Sequence, residues 1–150
     1  MVRKVFYSFN YEKDGWRAGQ VLNGRLTKSE IDVVGYVGVE AWESIKRQGN
    51  EAVNYWIDEN LNETSVTAVL IGSETATQEW VLYAIRQSYL KRNGLLGIYI
   101  HNLRNSTGNT AIKGQNPFGK LYIEENGQKI PLSQLYPTYD WIIDDGYNNF

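Results

Sequence analysis

Residues 65–103 constrain this chain more than any other stretch, because they read as a strand, a helix and a second strand without interruption. SVTAVLI, residues 65–71, is a short apolar run rich in β-branched side chains and bounded by Gly72. Such runs suit a strand covered on both faces, as in a parallel sheet. GSETATQ supplies the turn, and Thr75 followed by Gln78 fits a capping box, in which each side chain satisfies a first-turn N–H. EWVLYAIRQSYLKRNG, residues 79–94, continues as a helix, with Lys91 and Arg92 in its last turn and Gly94 as its stop. LLGIYIHNL, residues 95–103, returns as a buried strand. Strand, crossover helix and parallel strand join right-handedly in nearly all cases, so the sequence predicts a βαβ unit and with it an α/β fold.

A chain of 150 residues is expected to form one domain. Zero cysteines exclude disulfides, thiolate metal sites and a cysteine nucleophile, and suit a cytoplasmic protein. The N-terminal apolar run is too short for a signal peptide. No stretch approaches the roughly 20 apolar residues of a membrane span. A net charge of −2 argues against a nucleic-acid surface. The 11 tyrosines and 5 tryptophans are many for this length. Aromatic side chains of this kind line sites that stack planar ligands, or fill the core and its boundary.

RKVFYSF, residues 3–9, is the first strand, placed inside the sheet. Ser8, Phe9 and Asn10 lie at its carboxyl end, where open α/β sheets bind ligands; Asn10 equally suits the start of a turn. Residues 14–22 read as a helix stopped by Asn23-Gly24. Residues 26–39 fit either a second strand or an extended loop. Helices follow over 40–47 and 50–60, the latter with Ala52, Val53, Trp56 and Ile57 as its apolar stripe. Trp42, in the first of these, either packs or closes over a nucleotide. Residues 102–116 form a polar loop longer than most connections. Asn126-Gly127 marks a type I′ hairpin. Residues 136–150 read as a terminal helix, with Trp141 and Ile142 docking on the sheet.

The usual catalytic signatures are missing. There is no G-x-G-x-x-G and no G-x-x-x-x-G-K-[ST]. His101 is the only histidine, which rules out a multi-histidine metal site; at a strand end it touches a ligand or is a satisfied polar group. GSETA is not the G-x-S-x-G nucleophile elbow. Asp140 and Asp144, spaced to share a helix face, are either a solvated surface or paired carboxylates. No metal is expected.

Several separated stretches, in order, carry a resemblance: FYSFNY (6–11), EAWESIKR (40–47), VLIGS (69–73), NPFG (116–119) and YDWIIDDGY (139–147). They resemble TIR-like domains, specifically the ThsB component of Thoeris anti-phage defence, over nearly the whole chain. The resemblance implies a single TIR-like domain over residues 1–150. Its fold would be a flavodoxin-like three-layer sandwich, a mainly parallel sheet between helices. It implies an NAD glycohydrolase or ADP-ribosyl cyclase that takes NAD as substrate and uses no cofactor. On phage infection, triggered by a phage component, such an enzyme would release nicotinamide and make an ADP-ribose-derived messenger, usually cyclic. The messenger would activate a separate ThsA-type effector. TIR enzymes often complete their sites by homo-oligomerisation. The implied substrate-binding residues are Ser8, Phe9, Asn10, Trp42, Ser73 and Trp80.

The resemblance breaks at one position. TIR enzymes carry W-x-x-x-E on the middle helix, and here Trp80 is followed by V-L-Y-A, so Ala84 stands where the catalytic glutamate belongs. The acid would face the NAD ribose and stabilise the oxocarbenium-like charge that develops as nicotinamide leaves. Three explanations of Ala84 stand: an engineered substitution, a naturally non-catalytic member, or replacement by another acid. Glu79 points about 140° away on the helix and is a poor stand-in; Glu74, at the turn, could approach the pocket. The alternative function is a non-catalytic flavodoxin-like module that binds a nucleotide or a partner.

Overall fold

The structure is a computed structural model, described here over residues 3–26, 31–34 and 39–146. In chain order it runs β1 (Arg3–Ser8), α1 (Gly15–Leu26), β2 (Ile31–Val34), α2 (Val39–Arg47), α3 (Asn50–Asn62), β3 (Val66–Ile71), α4 (Glu79–Leu90), β4 (Gly94–Tyr99), β5 (Tyr122–Glu125), β6 (Gln128–Pro131) and β7 (Thr138–Asp140). Five strands make one sheet in the order β2-β1-β3-β4-β7, and every neighbouring pair is parallel. The expected α/β fold, a parallel sheet flanked by helices, is the one observed.

The predicted βαβ unit is β3-α4-β4, paired from Val66–Gly94 through Ile71–Tyr99. Alternation along β3 sends successive side chains to opposite faces. Thr67 meets Ser88 of α4, and Val69 and Ile71 pack with Val81 and Ile85. Ala68 and Leu70 join the second cluster, which holds Val5, Ala18, Val21, Leu22 and Ile98. With both faces covered, the strand has no use for polar alternation, and VTAVLI has none.

Several local expectations are corrected. Asn23-Gly24 does not stop α1, which continues to Leu26; a glycine inside a helix costs about 1 kcal/mol relative to alanine, and burial of Ala18, Val21 and Leu22 outweighs that. The ambiguous 26–39 segment contains a strand, β2. The Thr75–Gln78 capping box does not form. Thr75 sits in a short 3-10 turn, its hydroxyl accepts from Gly72 N–H at 2.7 Å, and α4 starts only at Glu79. Gly94 is not the stop of α4 but the first residue of β4; Arg92, at φ 62°, takes the left-handed position instead.

The hairpin forms as predicted, with Asn126 and Gly127 both at positive φ. The terminal helix predicted over 136–150 does not start at residue 136; in the described part only Gly146 is helical. Residues 138–140 pair with Gly97–Tyr99 as β7, and residues 141–145 are turn. Trp141 is buried as expected, but Ile142 is exposed. Residues 147–150 lie outside the described residues.

Tyr11 is fully buried, and its hydroxyl donates to Tyr7 O at 3.0 Å. Burial pushes its phenol well above the ordinary tyrosine range. The unfolded phenol ionises at about pH 10 while the folded one stays neutral, so the unfolded chain binds fewer protons and stability falls as pH rises through that value. Tyr11→Phe should cost about 1 kcal/mol at neutral pH and flatten the alkaline decline. Urea midpoints at about pH 7, 9 and 11 check this; an unchanged alkaline slope in Tyr11→Phe would refute it.

Candidate functional site

The carboxyl ends of β1 and β3 are tightly built. Ser8, Phe9 and Asn10 are all buried. The Asn10 side-chain oxygen accepts from the N–H groups of Glu12 and Lys13, at 3.2 and 3.0 Å, so Asn10 forms a turn. That turn is tied outward at two points: Lys13 to Glu74 at 2.7 Å and Lys46 to Glu12 at 2.9 Å. Both pairs are largely exposed and worth little individually.

Three of the predicted site residues are brought together by a fourth that the sequence did not single out. Phe9 lies 4.2 Å from Tyr11, Tyr11 lies 4.7 Å from Trp42, and Trp42 lies 5.1 Å from Trp80, ring centroid to centroid. The run links the end of β1 to the start of α4. Trp42 is completely buried, so it packs; Trp80 is half-buried. Neither indole N–H has an acceptor among the described residues. Buried indoles usually find one.

Beside Trp80 the surface opens into a groove of about 590 Å³, a volume within the usual range of small-molecule sites. Lys46, Asn50, Val53 and Asn54 form one wall, from α2 and α3; Gln78, Glu79, Trp80, Tyr83 and Arg86 form the other. The Lys46 ammonium lies 5.2 Å over the Trp80 ring. The Tyr83 hydroxyl donates to Asp58 Oδ2 at 2.8 Å, and burial first, then Asp58, raises its pKa, which keeps it a donor. The groove therefore offers an aromatic face, two cations on different helices, amides and one carboxylate, Glu79. That set suits a planar ring, a phosphate and sugar hydroxyls. Lys46, Asn50, Asn54 and Arg86 were missed by the sequence reading, since only the packing of α2 and α3 on α4 makes them neighbours.

Ala84 does not line this groove. It is 0% exposed and belongs to the cluster that holds Phe6, Trp42 and Ile57. The expectation that residue 84 faces an open cleft is therefore corrected. Val81, Ala84, Ile85 and Ser88 are the buried face of α4, while Glu79, about 140° round the helix from Ala84, falls in the groove.

A second constellation lies at the end of β3. Asp14 and Arg17 form an ion pair at 3.2 Å, with side-chain exposures of 0% and 4%. Arg17 also donates to Leu103 O at 2.8 Å and to Asn109 O at 2.9 Å. Burial raises the Asp14 pKa against the opposing pull of Arg17, and Asp14 Oδ2 has no hydrogen-bond partner among the described residues. The same carboxylate lies against Gly72, where a β-carbon would collide with it. Ser73 is half-buried here and is not part of the aromatic run.

His101 is buried, and its Nδ1 has no partner among the described residues, so it is not the satisfied polar group that one reading expected. Asp140 and Asp144 do not share a helix face. Asp140 N–H donates to Asp144 Oδ2, and Asp140 Oδ1 accepts from the N–H groups of Ile142 and Ile143. They build a turn. Among the described residues no three His, Cys, Asp or Glu side chains converge to hold a metal, and no helix is long and apolar enough to cross a membrane.

Residues 6–105 match the family model for the Thoeris protein ThsB, TIR-like domain. The chain is also 34% identical to a Bacillus cereus (strain MSX-D12) protein named "Putative cyclic ADP-D-ribose synthase ThsB1", in an alignment covering all of this chain and 97% of the relative.

Placing a carboxylate at the sealed position tests the packing. Ala84→Glu should lose at least about 3 kcal/mol at neutral pH, because an unpaired buried charge is expensive. Burial would raise the new carboxyl's pKa, so the ionic part of the penalty should be absent below about pH 4.3 and grow as pH rises from there to the folded value, on top of an overpacking cost present at every pH. Urea midpoints at about pH 4.5 and 7.5 read it; an Ala84→Glu variant without cost at both would mean that the groove reaches this position.

Proposed function

The chain belongs to the ThsB family of TIR-like domains, and on that premise we propose that it serves Thoeris signalling by cleaving NAD and making an ADP-ribose-derived messenger. The bond broken is the one between the ribose C1′ and the nicotinamide nitrogen. Nicotinamide leaves as a neutral molecule, and C1′ is captured by another atom of the same ADP-ribose, with loss of a proton, or by water. The messenger, cyclic in the first case, would activate a ThsA-type effector after phage infection. The cytoplasm is the compartment that suits this chemistry, with a phage component as trigger and self-association as the means of completing the site.

The observation that carries the reading is the groove beside Trp80. A ring can stack on the half-buried indole, and the pyrophosphate can pair with Lys46 and Arg86. Amides from Asn50, Asn54 and Gln78 are placed for hydroxyls. Trp42 packs against the Trp80 ring and is backed in turn by Tyr11, which Phe9 touches; that favours a role for all three in shaping the site.

With alanine at position 84, this form lacks the family's acid, and loss of such a group costs on the order of 10²–10⁴ in rate. The carboxylate on the groove itself is Glu79. The sealed position of Ala84 also favours the second reading, a non-catalytic module that holds a nucleotide without cleaving it. Incubation with NAD separates these, using the native chain, Ala84→Glu and Glu79→Gln. Nicotinamide released by Ala84→Glu alone would assign catalysis to position 84. Release by the native chain, lost in Glu79→Gln, would assign it to Glu79. No release by any form, with a melting temperature still raised by NAD through mass action, would leave the binding module. No release and no shift would end the NAD reading.

A further inference from the structure

The 102–116 loop does not hang free; it is folded back and fastened over the carboxyl end of β3. Arg17 fastens it twice, at Leu103 O and Asn109 O. Gln20 Nε2 donates to Arg104 O at 2.7 Å, and Ala111 N–H donates to His101 O at 2.8 Å. At its far end the backbone presses so closely on β3 that a β-carbon on Gly114 would strike the carbonyl oxygen of Gly72 and come within 2.9 Å of that of Ser73.

The fastening is costly to build. An arginine and an aspartate are both removed from water, and one carboxylate oxygen of the pair has no partner among the described residues. A buried ion pair with an orphaned lone pair is a weak way to gain stability. It is a strong way to hold one arrangement, since breaking it exposes two charges to an apolar surrounding. The loop also carries an apolar side chain with no cover: Ile112 is 83% exposed.

We infer that the loop is a strap over the carboxyl end of β3, that the buried Arg17 is its latch, and that lifting the strap opens the half-buried Ser73 fully to a ligand. This rests on the NAD reading for the ligand's identity, but the strap itself stands on the contacts above. In the closed form the Arg17 guanidinium is spent on two loop carbonyls and on Asp14. Lifting the loop frees two of its donors at that strand end, where they suit an oxygen of a phosphate.

The chain has no cysteine, so Ser73→Cys supplies a single thiol at that strand end. Its rate of reaction with a disulfide reagent reports access. Two further changes open the strap in independent ways: Arg17→Met removes the latch and keeps the stem, and Gly114→Ala forces the backbone off Gly72. Each should speed the thiol reaction by at least about tenfold, which corresponds to a latch worth about 1.4 kcal/mol or more. Each should also speed trypsin cleavage after the exposed Arg104 and Lys113 by a similar factor. If Arg17→Met does not fold, Gly114→Ala decides alone. Thiol and cleavage rates within about twofold of the parent, in a variant with native circular dichroism, overturn the strap. NAD added to an opened variant should protect the thiol. Faster labelling without protection by NAD upholds the strap and removes Ser73 from the NAD site.

Discussion

The arrangement of α4 on β3 is the constraint on which the rest depends. Val81, Ala84, Ile85 and Ser88 repeat at i, i+3, i+4 and i+7, so one stripe of the helix faces the sheet. The seam includes a buried polar contact. Ser88 donates to Ala84 O at 2.6 Å, which leaves the Thr67 hydroxyl to donate to Ser88 Oγ at 2.7 Å. Both hydroxyls are thus satisfied, and the helix is held in rotation as well as in position. That rotation decides the chemistry. It turns residue 84 to the core and residues 79, 83 and 86 to the groove.

The aromatic side chains serve the same end from the other side. The run from Phe9 through Tyr11 and Trp42 to Trp80 is mostly core, as the composition allowed, yet its last ring reaches the surface. Tilted ring pairs at these separations add to what area burial alone contributes. A ring packed on the buried Trp42, itself held by Tyr11, is a rigid wall, which suits recognition better than a mobile one because less freedom is lost on binding. Structural and functional roles for these residues are therefore not alternatives. Trp42 packs, and by packing it places Trp80.

Much of the fold was legible beforehand because its strongest signals are local. β3, α4 and β4 followed from an apolar run, a helical period and a glycine. The Asn126-Gly127 hairpin followed from a pair of residues that tolerate positive φ. The failures share a cause. The Thr75 hydroxyl was drawn to Gly72 rather than to the first turn of α4, and Asp140 to the backbone of a turn rather than to a helix face shared with Asp144. β7 replaced a helix because residues 138–140 found an open edge on β4. In each case a partner distant in sequence or hidden in backbone geometry competed with the local preference and won.

Legibility was poorer at the site. Trp80 and Trp42 could be suspected from the resemblance, and both take part in one aromatic run. Lys46, Asn50 and Arg86 could not, since nothing in their local sequence separates them from any solvated helix face. Asp14 and Arg17 look like an ordinary surface pair one helical turn apart, and their burial comes from a loop some 90 residues away, whose carbonyls Arg17 meets. The sequence by itself determined the first strand, the central βαβ unit and the hairpin, and that a parallel sheet joins the buried strands, because periodicity and burial on two faces are written residue by residue. The tertiary structure alone decided which face of α4 meets solvent, and what lies over the ends of the strands. Those outcomes depend on the distance between groups that the chain order keeps apart.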